Sequence, residues 1–255
     1  MQQVLSLLNG YLGVLFLLLC LGLMLYYIFF RRITAKVSMR SILAFKHFRR
    51  EVDLAVEAGK RLHISLGQGS INELKGGSAF IGLTILDRCA RAASNSDRPP
   101  VTTSGDGVIT ILSQDTLQNT YRSLATEERY DPTSARLTGL TPLAYAAGAM
   151  PAIHDEYVSA NILAGHFGAE VALLTEAGER NHSLTVGGSD SISAQAVLYA
   201  TSDEPLLGEE LYAAGAYLGE GIAHNASLQM QDIVRWILVV AIILGGILKL
   251  LGILA

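Results

Sequence analysis

Apolar and polar positions divide this chain into three regimes. Residues 1–30 carry no charged side chain, and 11–30 (YLGVLFLLLCLGLMLYYIFF) is an almost unbroken apolar run. Such a run supplies the roughly 20 residues that a helix needs to cross a ~30 Å hydrocarbon layer. A second run, 236–255 (WILVVAIILGGILKLLGILA), contains a single charge, Lys249. Both are predicted as transmembrane helices. Tyr26, Tyr27, Phe29 and Phe30 flank one, and Trp236 flanks the other, where aromatic side chains would meet headgroups.

Between the runs the apolar pattern shortens. Met39, Ile42, Phe45, Phe48, Val52 and Ala55 recur at three- and four-residue steps, the mark of one apolar helix face. This helix is expected to continue from the first span and to end near Gly59. An extended run at 62–66 (LHISL) follows, then Gly67-Gln-Gly69-Ser70 and a helical pattern over 78–93. The same order returns at 100–103, Ser104-Gly105-Asp106-Gly107 and 108–125. Further extended runs are predicted at 135–140, 170–175, 183–186 and 197–200. Helices are predicted at 142–150, 206–218 and 226–254. Strand, glycine turn and helix in repeated sequence predict an α/β fold with a largely parallel sheet. The expected organisation is 1–30, N-terminus and first transmembrane helix; 31–60, basic juxtamembrane helix; 61–225, α/β domain; and 226–255, a long helix including the second span.

Charge adds orientation. Residues 31–50 hold seven Lys/Arg and no acid, whereas 51–235 hold 11 Lys/Arg against 23 Asp/Glu. Because Lys and Arg concentrate on the cytoplasmic side, the middle domain is expected in the cytoplasm and both termini outside it. The basic segment suits an anionic leaflet, so the lipid bilayer is a predicted partner. The acidic body argues against nucleic acid, which requires clustered Lys/Arg. A signal peptide is disfavoured: no basic segment precedes the run, the run is long, and no small-x-small site follows. Cys20 lies in the first span and Cys89 in the body, which excludes a disulfide within the domain and fits a reducing compartment.

The candidate ligand-binding residues are the glycine clusters expected just after strands: Gly67, Gly69 and Ser70; Gly105, Asp106 and Gly107; and Gly187, Gly188 and Asp190. Ligands of open α/β sheets lie beyond the carboxyl ends of strands, where bare N–H groups at helix starts hold anions. No full phosphate fingerprint is present, since G-x-G-x-x-G fails at Asn72. Ordinary turn geometry, which also selects glycine, is the competing account. Asp106 is read first as a cap of the following helix, with metal coordination or base chemistry as the alternative. His154, Asp155, Glu156 and His166 offer metal-compatible groups without a zinc spacing, and no metal or cofactor is expected. His63 and His182 are expected at the rims of two strands. Ser65, Ser104 and Ser189 lack a G-x-S-x-G elbow, so no catalytic residue is assigned, and a non-enzymatic role is preferred with an enzyme kept as the alternative.

At 104–117 (SGDGVITILSQDTL), 208–218 (GEELYAAGAYL) and 226–236 (ASLQMQDIVRW), the sequence resembles a bacterial membrane-protein family known as a domain of unknown function. The likeness covers roughly residues 62–246. It implies a bacterial inner-membrane protein with two spans, and brings no reaction, cofactor or catalytic residue. Gly245 and Gly252, seven apart, would lie on one face of the second span. The leading expectation is a scaffolding homo-oligomer anchored at the inner membrane. The alternatives are a nucleotide- or anion-binding module or enzyme, or an accessory subunit of a membrane complex.

Overall fold

The computed structural model describes residues 2–29, 42–71, 76–94, 96, 98–219 and 222–251. Arg31, Arg32, Lys36, Met39, Arg40, Asn72 and Gly252 lie outside them. The chain divides into two compact units, one formed by Met1–Arg40 with Gly219–Ala255 and the other by Ser41–Leu218.

The first unit contains two packed helices, α1 (Gln2–Phe29) and α9 (Ile222–Leu250). Within α9, Ala223–Leu250 is 28 residues long, reaches a mean hydropathy of 2.3 and has none of its most apolar window buried. It is long and apolar enough to cross a membrane. In α1 the described side chains give a shorter apolar stretch, Gly13–Phe29.

The second unit is an α/β domain. Its strands are β1 (Arg61–Gly67), β2 (Val101–Ser104), β3 (Ala135–Leu137), β4 (Val158–His166), β5 (Leu184–Ser189) and β6 (Glu204–Leu206). They form one sheet in the order β3-β2-β1-β4-β5-β6, with every neighbouring pair parallel. Its helices are α2 (Leu43–Glu57), α3 (Gly76–Ala92), α4 (Gly107–Ser123), α5 (Pro142–Asp155), α6 (Val171–Arg180), α7 (Ile192–Thr201) and α8 (Ala214–Leu218).

Alternation along β1 sends Leu62, Ile64 and Leu66 to one face and His63 and Ser65 to the other. The first face joins Ile162, Val186 and the apolar sides of α2, α3, α4 and α8 in one core. On α2 the predicted periodic residues Phe45, Phe48, Val52 and Ala55 are buried together with Ala44, and Phe45 stacks on Tyr217 with ring centroids 5.0 Å apart. The second face joins Leu163, Phe167 and the buried sides of α5, α6 and α7. Both faces are therefore covered, as parallel sheets require.

Several predicted elements differ. The run at 170–175 belongs to α6, where Val171, Leu174, Ala177 and Gly178 are buried at helical spacing. The run at 197–200 lies inside α7, and 206–218 splits into β6, a 3-10 turn at Gly208–Glu210 and the short α8. Strands β4 and β6 were not predicted. Being buried on both faces, β4 shows no apolar alternation and mixes Ala, Asn and Gly with Val, Ile and Leu. Gly187 and Gly188 are not turn residues but interior positions of β5. A Cβ at Gly187 would stand 2.5 Å from Leu198 Cδ2, and one at Gly188 3.1 Å from Leu211 Cδ1, so these glycines admit packing from both layers. His63 is not at a rim: it is fully buried in the middle of β1.

Candidate functional site

Strand order reverses between β1 and β4. The connections from β1 run outward one way to β2 and β3, and those from β4 run the other way to β5 and β6. At such a reversal the crossing segments diverge, opening a crevice beyond the carboxyl ends of the two central strands.

Gly67 ends β1 there with φ +70°. Its N–H donates to Tyr145 Oη at 3.2 Å, and its carbonyl accepts from Gly105 N at 2.8 Å. Gln68 N donates to the His166 carbonyl, also at 2.8 Å. The end of β1 is thereby held by β2, β4 and α5 together. Gly69 and Ser70 follow, and the start of α3 lies against them: a Cβ at Gly76 would be 2.9 Å from the Ser70 carbonyl oxygen.

A buried polar relay stands behind this corner. Asn161 Nδ2 donates to the Leu174 carbonyl at 3.1 Å, and its Oδ1 lies 2.7 Å from His63 Nδ1. An amide oxygen only accepts, so His63 Nδ1 carries the proton and its Nε2 accepts from Thr103 Oγ1 at 2.9 Å. Tyr145 Oη meets both Ser65 and Thr103 hydroxyls as well as the Gly67 N–H. Burial pushes the His63 imidazole down to about 4, against the opposing Asn161 bond, and the charge of Arg136 adds to the fall while Glu156 offsets it. Burial likewise raises the Tyr145 phenol. Both groups are therefore neutral, as the relay's donor pattern requires.

At the end of β2, Asp106 is the N-cap of α4, its Oδ1 accepting from Val108 N at 2.9 Å and Ile109 N at 3.0 Å. Gly105 lies under the Gln68 side chain, with 2.6 Å from its Cβ position to Gln68 Cγ. Gly107 opens α4 with nothing within 4 Å of its Cβ position. At the ends of β4 and β5, His166 Nδ1 and Asp190 Oδ1 are 2.7 Å apart. Tyr212 closes the group: its ring is 3.6 Å from a Cβ placed at Gly77, and burial first, then the charge of Asp190, raises its phenol.

The structure thus gathers Gly67, Gly69, Ser70, Gly105, Asp106 and Asp190 at one edge of the sheet. Gly107 lies one residue into α4, and Gly187 and Gly188 lie inside β5. His154 and Asp155 are exposed on α5, while Glu156 is held by Arg61 and Arg136. Among the described residues no group of three His, Cys, Asp or Glu stands close enough to hold a metal ion. Sequence reasoning missed Tyr145, His166 as part of this edge, and Tyr212. Only the position of His166 directly after a buried apolar run ending in glycine signalled a strand end.

Five helices longer than eight residues begin at this edge: α3, α4, α5, α6 and α7. Asp106 caps α4, Glu170 stands at the N-cap of α6 and accepts from Gly168 N at 2.7 Å, and Asp190 precedes the N-cap of α7. By contrast, α3 opens on Gly76-Gly77 with no acid in its first turn. The same holds for α5, which opens on Pro142 behind Thr141, so the positive dipole ends of these two helices carry no acid in their own first turns.

A six-stranded parallel sheet ordered 3-2-1-4-5-6 with helices on both faces defines the doubly wound (Rossmann-like) class of α/β fold. A fold of this class carries many chemistries. The chain belongs to the family described as Domain of unknown function (DUF6754), whose model matches residues 3–255. No curated protein and no solved structure matches it.

Proposed function

We propose that the protein is a membrane-anchored module that binds a nucleotide or a related phosphorylated anion at the crevice between β1 and β4. One observation carries the reading: the strand order reverses at Gly67 and His166, directly beside α3, which opens on Gly76-Gly77 with no acid in its first turn. Backbone N–H groups at such a terminus accept a phosphate. Anchoring is supported by the Ala223–Leu250 helix. Two spans, inner-membrane location and a cytoplasmic domain extend that support through the uncharged residues 1–30 and the basic 31–50 segment.

The test is thermal shift of the full chain in detergent against ADP, NAD, ribose 5-phosphate and inorganic phosphate. A raised midpoint is expected in the wild type. The variant Gly77→Glu adds a carboxylate to the first turn of α3, which favours the helix yet repels an anion. It should keep or raise the ligand-free midpoint and lose the ligand-induced rise. No shift with any of the four compounds, or an equal shift in Gly77→Glu, rejects the reading. Release by alkaline carbonate would reject anchoring.

A homo-oligomeric scaffold is the second reading, favoured by a separate observation. At Gly13, Gly22, Gly245 and Gly246 a Cβ would meet nothing within 4 Å, so these glycines do not serve the packing of α1 on α9. Small residues on an open helix face let another helix approach closely. Gly246→Ile should reduce cross-linked oligomer in detergent, and a strictly monomeric wild-type particle would reject assembly.

A further inference from the structure

We propose that His166 is a proton-transfer residue of the switch-point site, with Asp190 as its positioning partner. The inference rests on reading that crevice as a ligand site. His166 is the last residue of β4 and the register partner of Gly67, so its backbone stands where the strand order reverses. Its carbonyl accepts from Gln68 N, and the next residue, Phe167, donates its N–H to Ser189 Oγ at 3.2 Å. The backbone beneath the imidazole is thus tied to both β1 and β5.

The side chain is oriented as firmly. Asp190 Oδ1 lies 2.7 Å from Nδ1, and a carboxylate only accepts, so Nδ1 bears the proton and the lone pair of the neutral ring is on Nε2. Nε2 has no hydrogen-bond partner among the described residues. The two side chains are 22% and 17% exposed, which leaves the ring reachable yet shielded from bulk water. Among the described residues, Asp190 and Tyr212 are ionisable groups at this corner, with Glu170 on the loop into α6 engaged by Gly168 N. A purely structural pair would tie β4 to β5, but six register pairs from Ala160↔Leu184 to Gly165↔Ser189 already join them.

The chemistry is a reversible proton shift. A ligand hydroxyl gives its proton to Nε2: the O–H bond breaks, its electron pair stays on oxygen, an N–H bond forms, and Asp190 balances the new imidazolium charge. The return step restores both partners. The ligand class is a phosphorylated polyol, its anion at the α3 N-terminus and a hydroxyl at His166.

Diethyl pyrocarbonate, which acylates an imidazole nitrogen bearing a lone pair, tests this in the full chain, with sites mapped by mass spectrometry. His166 should react in the folded wild type. In Asp190→Asn the amide N–H can turn toward the ring and move the proton to Nε2, so modification of His166 should slow by roughly tenfold or more with the midpoint little changed. Ribose 5-phosphate should protect His166 in the wild type but not in Gly77→Glu, each compared with its own ligand-free rate. An unreactive His166 beside a reactive His154, or equal rates in wild type and Asp190→Asn, overturns the proposal. So does a raised midpoint with ribose 5-phosphate without protection of His166. If none of the four compounds raises the midpoint, the underlying ligand-site reading fails instead, and the proposal with it.

Discussion

Gly67 and His166 face one another as register partners at the carboxyl ends of β1 and β4, and a Cβ on Gly67 would stand 2.2 Å from the His166 carbonyl oxygen. That oxygen belongs to rigid backbone, and it already accepts from Gln68 N. Gly67→Ala must therefore move the central strands apart and hold alanine at φ +70°. The expected loss is about 2–4 kcal/mol in denaturant unfolding. Gly107→Ala is the control, because its Cβ enters open space at the start of α4. It should be neutral or stabilising by up to about 1 kcal/mol. Equal behaviour of the two variants would contradict the close approach.

Tyr145→Phe keeps the ring packed and removes only the hydroxyl. The buried Gly67 N–H and Ser65 then lose a common partner, at about 1–3 kcal/mol. Hydrogen exchange should accelerate in a peptide spanning 62–71 before it does in the helices of the opposite face. Uniform acceleration would mean that the hydroxyl supports the whole domain rather than this corner.

Acid should weaken the domain through His63. Its folded value of about 4 lies below the ordinary 6.5, so the unfolded chain binds the proton more readily in that window. The contribution is present above pH 6.5 and is lost as pH falls toward about 4, an effect of roughly 3 kcal/mol. Protonation would also turn Nε2 into a donor and break its acceptance from Thr103. His63→Gln should flatten the midpoint-versus-pH curve between 6.5 and 4 relative to the wild type. An unchanged slope would remove His63 from the account.

Asp106→Ala should cost about 1 kcal/mol through loss of the α4 cap, whereas Asp106→Asn should stay within a few tenths. Thermal unfolding of the two variants reads this directly. A large loss of ligand-induced stabilisation in Asp106→Asn, with the fold intact, would instead assign the carboxylate a role in binding. The cap accounts for Oδ1, which takes both N–H groups.

The α/β class and a membrane-compatible C-terminal helix were legible in the sequence because both depend on local order. Leu62, Ile64 and Leu66 alternate with polar residues, Phe45, Phe48 and Val52 recur at helical steps, and residues 236–248 lack charge. The glycines after β1 and β2 also marked strand ends correctly, since a sharp turn selects glycine at the turn itself. Tertiary structure decided the rest. Only pairing between distant segments makes 158–166 a central strand, places Gly187 and Gly188 inside a sheet, and sets His166 beside both Gly67 and Asp190. Those relations depend on which surfaces close on one another, and side-chain periodicity along a single segment carries no record of its neighbours.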